Sequence, residues 1–257
     1  MDDMSIPPAE DVRALVRDKY GSLDAARAGG LEEDLARLRA GEPLAYVIGW
    51  MPFLGLKIDL GSRPLIPRPE TEWWAGELIQ DLEKRFKDKP FRVLDLCAGS
   101  GAVGLALLAR FSRARVSFGE IEPAHIDTIT ENIARNHLDA ARADVRRGDL
   151  FTPFFEERFD VIATNPPYIP SGRDLESSVT DYEPSVALYG GTDGLDLIRK
   201  IAKDAKNHLN PKGELWMECD SEHIESAREL VREGGASTTL IRTDQYGRPR
   251  VVVGYYS

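Results

Sequence analysis

Apolar positions change their period twice along this chain. In residues 1–40 they recur at helical spacing, first as Val12, Leu15 and Val16 and then as Leu31, Leu35 and Leu38, with Gly29-Gly30 as a break between the two patterns. Two short amphipathic helices cannot bury enough surface to fold alone, so this segment must pack on the rest of the chain or on a partner. Residues 41–69 read as a connector. Phe53-Leu54-Gly55-Leu56-Lys57-Ile58-Asp59-Leu60 suits a small β-hairpin, and Leu65-Ile66-Pro67-Arg68-Pro69 is held out of a helix because each proline restricts the residue before it. Glu70-Thr71-Glu72 then opens a helix, with carboxylates where the helix dipole favours them.

From residue 70 onward short apolar runs alternate with helical patterns. Strands are predicted at 91–96, 115–121, 143–147, 159–164, 213–219, 237–242 and 249–256, and helices at 101–112, 123–137, 193–208 and 221–234. The alternation predicts an α/β fold, a doubly wound parallel sheet with helices on both faces. Only Asp244-Gln245-Tyr246-Gly247 separates the last two strands, so they are expected to form an antiparallel hairpin. The stretch 169–192 shows no element of its own. Its length and its apolar and glycine content suit a wall over an active site.

Candidate chemistry clusters at strand ends. The strand 91–96 runs into Cys97-Ala98-Gly99-Ser100-Gly101, and a helix follows, as in the nucleotide-binding opening of a doubly wound sheet. The glycines match G-x-G-x-x-G, which alone is weak evidence. Glu120 ends the second strand, placed to reach the ribose hydroxyls of an adenosine ligand. Asp95, just before the loop, is a poor neighbour for a pyrophosphate and a good one for a ligand carrying an ammonium and a sulfonium. Asp149-Leu150 follows the third strand, where an acid serves either as a ligand contact or as a turn cap. The strand 159–164 ends in Asn165-Pro166-Pro167-Tyr168. Two prolines forbid further ladder pairing and make a stiff exit. Such a turn holds two acceptors, the Asn165 side-chain oxygen and the Pro166 carbonyl, where both can grip one NH2 group. Tyr168 adds a flat face for a planar group.

Composition narrows the class. With 42% hydrophobic residues in 257, the chain can bury a full core. A net charge of −10 argues against a broad phosphate-binding surface, and the basic runs 110–115 and 142–147 read as solvated charges. No apolar stretch reaches membrane-span length, and the acidic start Met1–Ser5 lacks the apolar stretch of a secretory signal, which predicts a cytoplasmic protein. Cys97 and Cys219 read as reduced core residues. The histidines, placed on solvated or half-buried helix faces, show no ligand spacing, so no metal is expected.

Several segments together resemble one family. Gly41-Glu42-Pro43-Leu44-Ala45-Tyr46-Val47-Ile48-Gly49, the run Leu65–Glu72, the glycine loop, Asn165–Ile169, Tyr182-Glu183-Pro184 and Ala187–Leu195 are similar to the peptide chain release factor N5-glutamine methyltransferases (the PrmC/HemK family). The resemblance covers residues 39–257. Asn-Pro-Pro-Tyr alone is shared with N6-adenine nucleic-acid methyltransferases, which stand as the alternative; the segments around Arg68 and Glu183 are more specific. The resemblance implies a class I, Rossmann-like methyltransferase that uses S-adenosyl-L-methionine and acts on the glutamine of the Gly-Gly-Gln motif in class 1 release factors, with no stable nucleic-acid or membrane binding. It implies cofactor contacts at Asp95, Cys97, Ala98, Gly99, Ser100, Gly101, Glu120, Asp149, Leu150 and Asn165. Catalytic roles fall to Asn165, Pro166 and Tyr168, with Pro167 joining them against the substrate. It divides the chain into a short helical docking segment (1–40), a β-hairpin connector (41–69) and a methyltransferase domain (70–257). The chain departs from the family pattern in its short N-terminal segment, in Cys97 for glycine, in Glu120 for aspartate, in Glu218-Cys219-Asp220 and around Tyr246–Arg250.

Overall fold

A computed structural model describes residues 6–257; the acidic stretch Met1–Ser5 lies outside the described residues. The elements are α1 (Ala9–Leu15), α2 (Leu23–Ala28), α3 (Leu31–Arg39), α4 (Leu44–Ile48), β1 (Trp50–Phe53), β2 (Leu56–Asp59), α5 (Pro69–Phe86), β3 (Phe91–Leu96), α6 (Ala102–Arg110), β4 (Ala114–Glu120), α7 (Pro123–Arg135), β5 (Ala143–Arg147), β6 (Phe159–Thr164), α8 (Ser177–Thr180), α9 (Asp196–Asp204), β7 (Leu209–Glu218), α10 (Ile224–Glu233), β8 (Thr238–Thr243) and β9 (Pro249–Tyr255). The seven-stranded sheet has the order β5-β4-β3-β6-β7-β9-β8. Its first five strands are parallel, and β9 is antiparallel to both neighbours. The hairpin expected at the end of the chain is there, with β9 inserted inside and β8 left at the edge.

Alternation sorts the sheet residues onto two faces. Val93, Val161, Ala163, Trp216, Val251 and Val253 pack with α5, α6 and α7. Leu94, Leu96, Ile162, Leu215, Met217 and Val252 pack with α9 and α10. Central strands are apolar on both faces because both are covered, whereas the edge strands β5 and β8 are only partly buried, and β5 carries Arg146 and Arg147. One arginine of the run 142–147 is not a solvated charge. The Arg142 guanidinium donates to the carbonyls of Leu108 (3.1 Å), Phe111 (2.8 Å) and Ala114 (3.1 Å), closing the end of α6.

The strand order reverses between β3 and β6. The chain leaves β3 through α6 toward β4 on one side, while β6 lies on the other. Such a switch point opens a crevice at the carboxyl ends of the strands, and it places the glycine loop after β3 beside Asn165 after β6.

The first helices pack around Leu15, Ala26, Leu31 and Val47, so α4 of the connector shares their core. The connector is therefore a short helix followed by the expected hairpin, because Pro43 starts a turn of helix that Gly49 ends at φ 90°. The buried Asp34 accepts from Lys19 (2.9 Å), Tyr20 (2.5 Å) and Arg37 (3.2 Å), and Arg37 also grips Glu42. The short segment thus packs on the connector, as its small core requires.

The hairpin is fastened to the sheet domain by two asparagines one turn apart, Asn132 on α7 and Asn136 capping its end. The Asn136 side chain accepts from the Lys57 N–H and donates to the Lys57 carbonyl, both at 2.9 Å. Asn132 is fully buried; its side chain accepts from the Asp59 N–H (2.7 Å) and donates to the Ser100 carbonyl (3.1 Å). The pair acts as a surrogate strand along the free edge of β2, and Asn132 ties that edge to the glycine loop. Replacing Asn132 by alanine leaves the Asp59 N–H and the Ser100 carbonyl unpaired, at about 1–3 kcal/mol each, so Asn132→Ala is expected to lower stability by about 2–6 kcal/mol. Denaturant unfolding checks this; a loss no larger than that of the more exposed Asn136→Ala contradicts it.

Candidate active site

The loop after β3 carries one non-glycine residue in the left-handed region, Cys97 at φ 59°. That backbone conformation is the physical reason a glycine suits this position, and the chain tolerates a small side chain there at modest strain. Burial pushes the Cys97 thiol up to about 12, so it stays protonated. Gly101 caps α6 in a left-handed conformation and is not part of the cleft wall.

The cleft opens at the carboxyl ends of β3, β4 and β6. Cys97, Gly99, Glu120, Asp149, Leu150 and Asn165 line it, with Ile121, Val186 and Leu197 as further apolar wall. Val186 and Ala187 come from the stretch 169–192, which therefore does wall the site. A smaller recess beneath the loop is lined by Asp95, Ala98, Ser100, Thr71 and again Asn165.

Glu120 is 6% exposed, yet its carboxyl pKa is lowered. Burial works against the charge; the neighbouring His125 imidazole and hydrogen bonds from the N–H groups of Glu122 and Gly99 outweigh it. Its Oε1 accepts from Ile121 (2.8 Å) and Glu122 (2.9 Å), and Oε2 accepts from Gly99 (2.7 Å). Three of its four acceptor positions are filled by backbone, which leaves one, on Oε2, for a hydroxyl in the cleft. Glu120 is thus a brace of the glycine loop as well as a ligand candidate. His125, expected on a half-buried or solvated face, is instead 5% exposed, with Nδ1 3.7 Å from Glu120 Oε1.

Asp95 sits under the loop, 3% exposed, and its Oδ2 accepts from the Gly104 N–H at 2.8 Å. Burial pushes its carboxyl up to about 8 despite that bond. A buried carboxylate in this state is stabilised by a cation brought alongside it, which fits a ligand bearing an ammonium.

Asn165, Pro166, Pro167 and Tyr168 line a second recess with Leu65, Arg68 and Leu188. Asn165 faces both this recess and the larger cleft. Among the described residues, no protein N–H donates to the Pro166 carbonyl, and Asn165 bonds only through its Nδ2, to Thr71 Oγ1 at 3.3 Å. The exit from β6 is held from outside by residues 188–194. Ile169 N–H donates to the Leu188 carbonyl (3.0 Å) and Gly190 N–H to the Ile169 carbonyl (2.9 Å). A Cβ on Gly190 would lie 2.5 Å from the Pro167 carbonyl oxygen, and one on Gly194 2.3 Å from that of Tyr168. The glycines let the two backbones touch, which is why Gly190-Gly191-Thr192-Asp193-Gly194 accompanies Asn-Pro-Pro-Tyr. Glu183 joins the two other motifs: it accepts from the Arg68 guanidinium at 2.5 Å and from the Ile66 N–H at 3.2 Å.

Sequence reasoning missed Glu218 as more than a departure from a pattern. This residue is 1% exposed at the end of β7. Its Oε2 accepts from Thr71 Oγ1 and from Trp74 Nε1, both at 2.7 Å, and its Oε1 accepts from the Tyr168 hydroxyl at 3.1 Å. Burial raises its carboxyl above the ordinary value, against these bonds and the nearby Arg250 charge. Burial likewise holds the Tyr168 proton on. Tyr168 is therefore anchored at its hydroxyl, with its ring set in the recess wall. The available signal was a carboxylate at the end of an apolar strand, a place where burial demands partners.

The fold and this crevice define a class I methyltransferase. Similar folds occur in a methyltransferase from Pyrococcus furiosus (TM-score 0.56, 19% identity, 88% of this chain and 98% of that one) and in the N-terminal domain of human METTL16 (TM-score 0.57, 17% identity, 79% and 76%). The family described as Methyltransferase small domain matches residues 75–181. The release factor glutamine methyltransferase of Geobacter sulfurreducens is 36% identical over 223 residues, covering 86% of this chain and 75% of that protein. That of Mycolicibacterium smegmatis is 34% identical over 211 residues, covering 82% and 73%. The chain belongs to the release factor glutamine methyltransferase family.

One prediction follows from Asp95. Its folded pKa of about 8 lies above its unfolded value, so the folded state holds the extra proton between roughly pH 4 and 8. The stability this gives is complete below pH 4 and is lost as pH rises through 8. Asp95→Asn, which keeps an acceptor for Gly104, is expected to gain thermal stability over the unliganded wild type as pH goes from 5 to 9. A difference in Tm that stays constant over that range contradicts the assignment.

Proposed function

We propose that this enzyme transfers a methyl group from S-adenosyl-L-methionine to the side-chain amide nitrogen of the glutamine in the Gly-Gly-Gln motif of class 1 peptide chain release factors. The observation that carries the reading is Asn165: one side chain forms the wall between the cleft that Glu120 and Asp149 line and a recess that also presents the Pro166 carbonyl. The family supplies the substrate class.

The residues present fit the cofactor. The open position on Glu120 Oε2 would take a ribose hydroxyl, Asp149 and Leu150 would hold the adenine, Asp95 would draw the ammonium, and Cys97, Ala98, Gly99 and Ser100 would form the floor. Bound there, S-adenosyl-L-methionine supplies an electrophilic methyl group on a sulfonium. The chain's own contribution lies on the substrate side. An amide nitrogen is a poor nucleophile because its lone pair is shared with the carbonyl. Asn165 Oδ1 and the Pro166 carbonyl accept its two N–H hydrogens, which raises electron density on nitrogen and fixes its orientation. Tyr168, Pro167, Leu65 and Leu188 flank the amide and exclude water. No strong base is required, because the methylated nitrogen gives up its proton to solvent. Residues 1–40 act as the docking segment, 41–69 as the connector and 70–257 as the methyltransferase domain. The protein works in the cytoplasm without stable nucleic-acid or membrane binding; among the described residues no helix is long and apolar enough to cross a membrane.

Mass spectrometry of a class 1 release factor incubated with enzyme and cofactor is expected to show one methyl group on the Gly-Gly-Gln glutamine. Methylation of adenine in nucleic acid, with the factor untouched, contradicts the reading. Asn165→Ala is expected to lower kcat by about 10²–10³ with cofactor affinity kept, since one preorganised contact to the reacting group is lost. Asn165→Asp keeps an acceptor and retains part of the activity. A wild-type rate in Asn165→Ala sinks the mechanism. Docking has its own test in hydrogen exchange: adding release factor is expected to protect the backbone of α2 and α3. Unchanged exchange there reduces the segment to a brace for the connector.

A further inference from the structure

An asparagine can present either end of its amide, and only the oxygen end serves the reaction proposed above. The choice is made two residues away from the substrate. Three donors converge on Glu218: the Trp74 indole N–H, the Thr71 hydroxyl and the Tyr168 hydroxyl. Trp74 and Thr71 meet on one of its oxygens and Tyr168 on the other, and these bonds and the nearby Arg250 charge oppose the upward push of burial on its carboxyl. The indole has no acceptor to offer, so Glu218 Oε2 serves as an acceptor there. Thr71 has a single hydroxyl hydrogen, and Glu218 takes it at 2.7 Å. What remains on Thr71 Oγ1 is lone pairs. It can therefore only accept from Asn165, and the Asn165 Nδ2 stands 3.3 Å away. The reversed amide would set Oδ1 against those lone pairs with no hydrogen between them.

We infer that Thr71 and Glu218 are positioning residues: the chain Glu218–Thr71–Asn165 fixes the amide so that Oδ1 is the end turned to the substrate recess. The chain joins residues 147 and 94 positions apart, contributed by the end of β7, the first turn of α5 and the exit from β6. Thr71 and Glu218 act on the substrate amide only through Asn165. Trp74, one turn beyond Thr71 on α5, holds the same oxygen of Glu218 and keeps the carboxylate from turning. The inference rests on the proposed reading for its catalytic consequence, and on hydrogen-bond chemistry alone for the orientation itself.

The test uses the full chain. Thr71→Val keeps the shape and removes the hydroxyl, with Thr71→Ala as a second variant should valine disturb the fold. Either is expected to lower kcat on release factor about 10- to 100-fold, less than the loss of Asn165 itself. The KM for the factor should move less than about threefold, and Thr71→Ser should return kcat to within about threefold of wild type. Glu218→Gln, which keeps an acceptor for Thr71, should stay within about tenfold of wild type, whereas Glu218→Met should match Thr71→Val. Wild-type kcat in Thr71→Val, failure of serine to rescue, or equal loss in the two Glu218 variants overturns the assignment. A second readout needs no turnover. The Asn165 side-chain NH2 resonances, identified by their loss in Asn165→Asp, should exchange with solvent at least about tenfold faster in Thr71→Val. Unchanged exchange overturns the positioning whatever the substrate. Absence of methylation by the wild type would instead defeat the proposed function and leave the NMR result to judge the orientation.

Discussion

The active site depends on one buried carboxylate. Glu218 lies at the end of a central strand, 1% exposed, where an unpaired charge would be prohibitive. Its three partners come from two places: Thr71 and Trp74 from the first turns of α5, and Tyr168 from the exit of β6. Satisfying that one group therefore pins the start of the long helix to the sheet and sets the segment that carries Asn165. The prolines of Pro67-Arg68-Pro69 and Asn165-Pro166-Pro167 stiffen the two backbones that meet there. A polar network that is fully satisfied specifies one arrangement, and this one does so where a reaction needs an acceptor held still.

Around this centre the chain is a set of braces that converge on the crevice. Glu183 links the connector to the wall segment through Arg68 and the Ile66 N–H. Asn132 links the hairpin to the glycine loop. Glu120 closes that loop from the other side through the Gly99 N–H. Each brace is a side chain paired with backbone or with a charge from a distant part of the sequence. The motifs that mark the family are thus contact surfaces of one another. Gly190 and Gly194 are small because Pro167 and Tyr168 are close; Cys97 sits where glycine suits because its φ is positive.

How much of this was legible in the sequence depends on the range of the interaction. The sheet was legible because each strand is a local apolar run ended by a turn: β3, β5 and β6 fall where the period-two and apolar patterns put them. The final hairpin followed from a four-residue turn. Helices α2 and α4 were not seen, since six and five residues give too few turns to establish a period. The candidate site was legible as a list of loops at strand ends, and the switch point explains why those loops meet. The pairings were not legible. Nothing local connects Thr71 to a carboxylate 147 residues away, and Arg142 reads as a surface charge until the end of α6 is placed beneath it. The burial of His125 beside Glu120 is of the same kind.

The central claim is that Asn165 and the Pro166 carbonyl together hold a glutamine amide by its two N–H hydrogens. A crystal structure of the protein with S-adenosylhomocysteine and a Gly-Gly-Gln peptide tests it most directly. The account predicts the glutamine nitrogen within about 3.2 Å of both Asn165 Oδ1 and the Pro166 oxygen, the outer range of a good hydrogen bond. A glutamine held by its carbonyl oxygen at Asn165 Nδ2, or seated away from the Pro166 carbonyl, would contradict it.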